Sequence, residues 1–128
     1  MGLSDHAVNA AIAVSDMDRA RDFYEGKLGL SGGGVEGDGG VTYDCGAGTS
    51  IHVFPSENAG GSGATVAGWD VDDLEGLVDE LSSAGVSFES YDEPPLTTNE
   101  KGIATIDGDR VAWFKDPDGN VMGLVQSG

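Results

Sequence analysis

Residues 113–125 read Trp113-Phe114-Lys115-Asp116-Pro117-Asp118-Gly119-Asn120-Val121-Met122-Gly123-Leu124-Val125, with Asp-Pro-Asp-Gly between two runs of strand-forming residues. Proline presets φ, glycine tolerates a positive φ, and the aspartates can accept hydrogen bonds from the turn backbone. The stretch therefore predicts a β-hairpin. Because side chains alternate between the two faces of a strand, one face of this hairpin carries Val111, Trp113, Val121, Gly123 and Val125.

The rest of the chain shows one order of elements twice. The first half predicts a strand over 8–14, a helix over 18–28 that Ser15 or Asp16 caps and Gly29 ends, and strands over 41–45 and 49–54. The second half predicts a strand over 65–71, a helix that Asp72 or Asp73 caps and Gly85 ends, and strands over 86–91, 103–107, 110–115 and 121–125.

The two halves can be superimposed as sequences. Residues 14–18 align with residues 71–75, so that strand end, acidic cap and helix start coincide, and Gly29 falls on Gly85 after one deletion. This similarity indicates an internal duplication of one βαβββ unit. We predict a single α+β domain with module one at about 6–54, a linker over 55–63 and module two at about 64–126.

The composition is strongly acidic, with 23 Asp and Glu against 6 Lys and Arg and a formal net charge of -17. Nucleic acid and anionic membranes are excluded as partners, because both require clustered basic residues. The scattered acidic residues suggest adaptation to a high-salt cytoplasm, and an ordinary acidic protein is the alternative. No signal-peptide pattern or membrane span is present and the lone Cys45 cannot form an intramolecular disulfide, so we predict a cytoplasmic location.

Three motifs resemble the vicinal-oxygen-chelate superfamily, which includes glyoxalase I, bleomycin-resistance proteins and extradiol dioxygenases. They are Ala13-Val14-Ser15-Asp16-Met17-Asp18-Arg19-Ala20-Arg21-Asp22-Phe23-Tyr24, Leu28-Gly29-Leu30 and Asp116-Pro117-Asp118-Gly119-Asn120. The resemblance covers residues 6–126. It implies two βαβββ modules whose sheets curl into a cup-shaped half-barrel, the glyoxalase/bleomycin-resistance fold, and a homodimer.

The resemblance also implies where a metal would bind. The four ligand positions of the metal-dependent members fall on Asn9, His52, Val66 and Gly123. Only His52 is a good ligand for a divalent transition metal, and one imidazole cannot hold such an ion against water. We therefore predict no metal and no cofactor.

Candidate ligand contacts come from strand pairing and from the resemblance. If residue 45 pairs with residue 50, one face carries Tyr43, Cys45, His52 and Phe54. Trp113 falls at an apolar substrate-contacting position of the family, and its indole suits a planar or aromatic ligand. Trp69 has the opposite parity to Val66 and is expected beneath the helices. The predicted ligand-binding residues are Asn9, Tyr43, His52, Phe54, Val66, Val111, Trp113 and Gly123.

Three functions remain open from the sequence. The first is a binding protein that sequesters a small organic molecule, as bleomycin-resistance proteins do. The second is a metal-dependent glyoxalase-like lyase or isomerase, or a dioxygenase. The third is a metal-free acid-base enzyme in which His52 is the best catalytic candidate, helped by Tyr43.

Overall fold

The computed structural model of this chain describes residues 2–94 and 97–128. Within these ranges the chain separates into two compact units, one up to Gly61 and the other from Ser62 onward. No helix in the described ranges is both long enough and apolar enough to cross a membrane.

The described part of the first unit has one α/π-helical segment, two short 3-10 helices (Leu3–Asp5 and Gly46–Gly48) and one mixed sheet. Its elements are β1 (Ala10–Val14), α1 (Met17–Arg21) with a π-helical continuation (Asp22–Lys27), β2 (Ser31–Gly32), β3 (Val41–Asp44) and β4 (Ser50–Pro55). The sheet order is β1-β4-β3-β2, with β1 parallel to β4 and the other pairs antiparallel. The unit is therefore a βαβββ module.

The second unit repeats this topology. Its elements are β5 (Thr65–Asp70), α2 (Leu74–Ser83), β6 (Ile103–Ile106), β7 (Asp109–Lys115) and β8 (Val121–Gln126). The sheet order is β5-β8-β7-β6, and β5 is again the strand that pairs in parallel. The predicted α+β class and the two βαβββ modules are confirmed.

The helix signals of the two halves are equivalent in the structure. The Asp16 side chain accepts a hydrogen bond from the N–H of Arg19 at 3.2 Å, and Asp73 accepts one from Gly76 at 3.1 Å. Gly85 follows α2 with a φ of 99°, the left-handed conformation that glycine tolerates best. Both caps lie at the positions that the duplication aligns.

The turn between β7 and β8 is organised by a buried carboxylate. Asp116 is only 5% exposed, and its side chain accepts hydrogen bonds from the N–H groups of Asp118 and Asn120, both at 2.9 Å. The second carboxylate oxygen accepts from Nδ2 of Asn120 at 2.8 Å. Gly119 has a φ of 86°, so the predicted turn chemistry is confirmed.

Two predicted elements differ from the structure, and one short strand was not predicted. The strand predicted over 86–91 is reduced to one bridge, in which Phe88 pairs with Phe114. The first strand begins at Ala10 and leaves Val8 86% exposed. Ser31 and Gly32 form a short strand that the sequence did not predict, because Ser-Gly has no strand propensity of its own.

Candidate functional site

Each sheet has one face against its helix and an opposite face, which we call the open face of that sheet. In unit one, Ile51 and Val53 are buried on the helix side, whereas His52 and Phe54 alternate with them and lie on the open face. In unit two, Phe114 is buried on the helix side, whereas Trp113 lies on the open face. The open faces carry the polar and aromatic side chains on which a function can rest.

On the open face of unit one, His52 lies in a hydrogen-bonded cluster. Nε2 of His52 is 2.7 Å from Oδ2 of Asp38, and Nδ1 is 2.9 Å from Oγ1 of Thr42. The Thr42 hydroxyl donates to Oε2 of Glu36 at 2.6 Å, so its oxygen is left to accept from Nδ1. The phenyl ring of Phe54 stacks on the imidazole at 5.9 Å between centroids.

Both ring nitrogens of His52 therefore face acceptor oxygens. The hydrogen bond from His52 and the one from the N–H of Gly40 hold the pKa of Asp38 below its usual range, which keeps this carboxyl ionised. A histidine that acts as a general base needs a nitrogen directed at its substrate. In this arrangement no ring nitrogen of His52 is free for that role.

Tyr43 does not share a face with His52. The hairpin pairs Asp44 with Ser50, Tyr43 with Ile51 and Thr42 with His52, one residue away from the predicted pairing of 45 with 50. The predicted common face of Tyr43, Cys45, His52 and Phe54 is therefore wrong. A slip of one residue moves every side chain of a strand to the other face, and Tyr43 is fully buried on the helix side.

Tyr43 instead joins a hydrogen-bonded network beneath the sheet. Its hydroxyl donates to Oε2 of Glu25 at 2.8 Å, and Nε of Arg21 donates to the same oxygen at 2.8 Å. Its ring stacks on Tyr24 at 6.0 Å. Burial, reinforced by Glu25, raises the pKa of Tyr43, whereas the hydrogen bonds from Arg21 and Tyr43 lower the pKa of Glu25.

The raised pKa of Tyr43 should make the stability of the protein depend on pH in the alkaline range. The folded protein keeps the Tyr43 proton while the unfolded chain releases it near the ordinary tyrosine pKa of about 10. The stabilisation is therefore complete below about pH 10 and is lost as the pH rises toward the raised pKa. We expect the urea midpoint of the wild type to fall more steeply between about pH 10 and 12 than that of Tyr43→Phe. Equal slopes would contradict this assignment.

On the open face of unit two, Trp113 lies directly opposite Gly123. The register pairs Val111 with Val125, Trp113 with Gly123 and Lys115 with Val121, so the predicted line of residues on one face is confirmed. A Cβ placed on Gly123 would lie 3.8 Å from Cδ1 and 3.9 Å from Nε1 of Trp113. The indole edge therefore lies over a position that has no side chain.

Trp113 also contacts Tyr91, which is not among the predicted ligand-binding residues. The two rings are 5.5 Å apart with an interplanar angle of 78°. Among the described residues, the indole Nε1 and the Tyr91 hydroxyl have no hydrogen-bond partner. In the sequence, Tyr91 is the aromatic residue that ends the strand predicted over 86–91, and this position was the only indication of its role.

Two further predicted residues lie at irregular positions. Asn9 is exposed and precedes β1. Val66 lies in a bulge, because Thr65 pairs with Val121 and Ala67 pairs with the next residue, Met122. The bulge shifts the parity of β5, so that Thr65 and Gly68 share the open face with Gly123. Trp69 stacks on Phe114 at 6.3 Å, which confirms its predicted place on the helix side.

The side chains at the four ligand positions that the resemblance implies do not fit a transition metal. Val66 and Gly123 have no donor atom, Asn9 is exposed, and both nitrogens of His52 already have hydrogen-bond partners. Within residues 2–94 and 97–128, no group of three or more His, Cys, Asp or Glu side chains could hold a metal ion.

Open grooves also occur away from the two open faces. One of about 590 Å³ is lined by side chains of the first helical segment, including Asp18, Arg21 and Glu25. Another of about 410 Å³ lies along α2 and is lined by residues that include Ser82, Phe88 and Lys101. Both are wide and lined largely by charged or polar residues, unlike the mainly apolar sites that bind small organic molecules.

Two successive βαβββ units with the same strand order define the class of paired-module proteins. The sequence model of the Glyoxalase/Bleomycin resistance protein/Dioxygenase superfamily matches residues 4–124, and the chain belongs to this superfamily. No curated protein matches the sequence of the chain.

Solved structures share the fold at low sequence identity. A glyoxalase family protein from Bacillus anthracis has a TM-score of 0.73 and 17% identity, with 96% of each chain covered. TnmS3, an antibiotic-binding protein from Streptomyces sp. CB03234, has a TM-score of 0.69 and 23% identity, covering 96% of this chain and 98% of that one. A glyoxalase/bleomycin resistance protein from Catenulispora acidiphila DSM 44928 has a TM-score of 0.67 and 21% identity, covering 95% and 100%.

Proposed function

We propose that this protein binds and sequesters a small planar organic molecule on the open face of unit two, without a metal. The observation that carries the proposal is Trp113, whose indole edge lies over Gly123 and whose N–H has no partner among the described residues. An indole presents a large apolar surface together with one hydrogen-bond donor, as small-molecule sites commonly do. An antibiotic-binding protein among the structural neighbours supports a binding role.

The rival functions have less support. A metal-dependent lyase, isomerase or dioxygenase requires ligands that Val66 and Gly123 cannot supply. Acid-base catalysis by His52 requires a free ring nitrogen, whereas both nitrogens of His52 lie at hydrogen-bond distance from Thr42 and Asp38. The homodimer, the cytoplasmic location and the adaptation to high salt stay predictions.

Equilibrium dialysis against planar probes tests the proposal. The probes are coumarin (neutral), proflavine (cationic) and 1-naphthalenesulfonate (anionic), with cyclohexanol as a non-planar control. We expect saturable binding of a planar probe to the wild type, and about tenfold weaker binding to Trp113→Ala, because the stacking surface is lost. The anionic probe is expected to bind worst, because the chain has a net charge of -17.

Trp69→Phe is the matched control. The chain has two tryptophans, and Trp69 lies on the helix side, so its replacement should leave affinity unchanged. Affinity should also be unchanged in EDTA. Absence of binding by every planar probe, or equal affinity in the wild type and Trp113→Ala, would overturn the proposal. Loss of binding in EDTA would favour the metal-dependent alternative.

A further inference from the structure

We propose that Tyr91 and Trp113 together form a recognition corner for a neutral or cationic planar ring that carries a hydrogen-bond-accepting oxygen, and that Thr98 is the positioning residue for Tyr91. This inference rests on the proposed function and names its ligand class. The corner consists of two aromatic rings that meet at 78° with centroids 5.5 Å apart. A flat ring can stack on one of them while its edge contacts the other.

The corner is built by backbone contacts from two sides. The N–H of Glu89 donates to the carbonyl of Trp113 at 2.8 Å, and Phe88 bridges to Phe114, which brings the segment before Tyr91 alongside β7. Tyr91 then lies within reach of Trp113. The ring of Trp113 is set in turn by its pairing with Gly123.

Thr98 fixes the backbone of Tyr91 through three hydrogen bonds. Its Oγ1 accepts from the N–H of Tyr91 at 2.8 Å and donates to the Tyr91 carbonyl at 3.1 Å, and its own N–H donates to that carbonyl at 2.8 Å. Thr98 is also bridged to Ala104 in β6. The side-chain hydroxyl therefore ties Tyr91 to the sheet that carries Trp113.

Two polar tips at the corner define the ligand chemistry. The indole N–H of Trp113 can only donate, and the Tyr91 hydroxyl can donate or accept. Neither has a partner among the described residues, so a bound ring gains most when an oxygen at its edge accepts from them. An anionic group is disfavoured by the surplus of 17 negative charges. The ligand should therefore be flat, carry an oxygen that accepts hydrogen bonds and have no negative charge. A neutral or cationic planar ring with a carbonyl meets these three conditions.

The test compares coumarin, which has a carbonyl, with naphthalene, which has a similar planar area and no acceptor. In the wild type we expect coumarin to bind about tenfold tighter than naphthalene. Trp113→Phe keeps an aromatic ring and loses the N–H, so the preference for coumarin over naphthalene should shrink severalfold, while naphthalene should lose only the affinity that depends on the larger ring. Tyr91→Leu should weaken both probes, whereas Tyr91→Phe should weaken mainly coumarin.

The positioning role of Thr98 is tested by two substitutions, one that removes the hydroxyl group and one that keeps it. Thr98→Val removes the hydroxyl and should weaken both probes about threefold to tenfold, whereas Thr98→Ser keeps the hydroxyl and should restore affinity. Thermal denaturation of both variants separates this effect from loss of folding. If no planar probe binds the wild type, the proposed function itself fails. If the wild type binds but Tyr91→Leu and Thr98→Val bind equally well, only the recognition corner is overturned.

Discussion

Asp116→Ala is expected to destabilise the protein by about 3 kcal/mol, because hydrogen bonds to a charged group contribute roughly 1.5–3 kcal/mol and the two Asn120 donors left behind are buried. The substitution removes the acceptor of two backbone N–H groups and of the Asn120 side-chain amide. Urea denaturation followed by circular dichroism measures the loss as a lower midpoint. The turn also sets the register that places Trp113 opposite Gly123.

Two variants separate the hydrogen bonds from the charge. Asp116→Asn keeps one acceptor oxygen for the two N–H groups, so it should lose less stability than Asp116→Ala. Asp92→Ala removes the same charge from an exposed position and should be neutral or slightly stabilising, because the chain carries a net charge of -17. A midpoint for Asp116→Ala equal to that of Asp92→Ala would show that the buried carboxylate does not organise the turn.

The Asp116 turn was predictable because its causes are local. Proline, glycine and the aspartate side chain act within five residues, and the two strands on either side inherit their register from the turn. The face that carries Val111, Trp113 and Gly123 followed from that register without tertiary information. The acidic helix caps were predictable for the same reason, because an Asp side chain reaches only the next helical turn.

The β3–β4 hairpin shows where local reasoning fails. Ala47 adopts a φ of 57°, and the N–H of Cys45 donates to the carbonyl of Thr49 at 2.8 Å, so the loop takes in both Cys45 and Thr49. Sequence alone does not predict a left-handed alanine between two glycines. The resulting shift of one residue keeps His52 and Phe54 on the open face and transfers Tyr43 to the helix side.

Other differences arise from contacts between distant residues. The β2 strand depends on a close approach, because a Cβ on Gly32 would lie 2.5 Å from the carbonyl oxygen of Thr42. The bulge at Val66 has no glycine or proline within residues 65–67 to mark its position. Tyr91 reaches Trp113 only because Thr98 and the Phe88 bridge hold its segment, a combination that no local pattern specifies.

Phe114→Ala is expected to cost about 3–5 kcal/mol, the usual range for deleting a buried aromatic side chain. Phe114 is 1% exposed and contacts Trp69 and Phe88, with ring centroids 6.3 and 5.7 Å away. Such a loss is a large share of the roughly 5–15 kcal/mol that stabilises a typical domain. Urea denaturation followed by circular dichroism should show a much lower midpoint, or an unfolded protein in buffer.

The substitution of the adjacent residue, Trp113→Ala, should affect probe binding more than stability. Trp113 lies on the open face and is only partly buried, so its removal should cost less stability than that of Phe114 but should abolish most of the affinity for a planar probe. Because successive residues of a strand point to opposite faces, the two variants separate folding from binding within one dipeptide. If Trp113→Ala lost as much stability as Phe114→Ala and bound the probe normally, the tryptophan would be a core residue and the open face of unit two would not be the binding site.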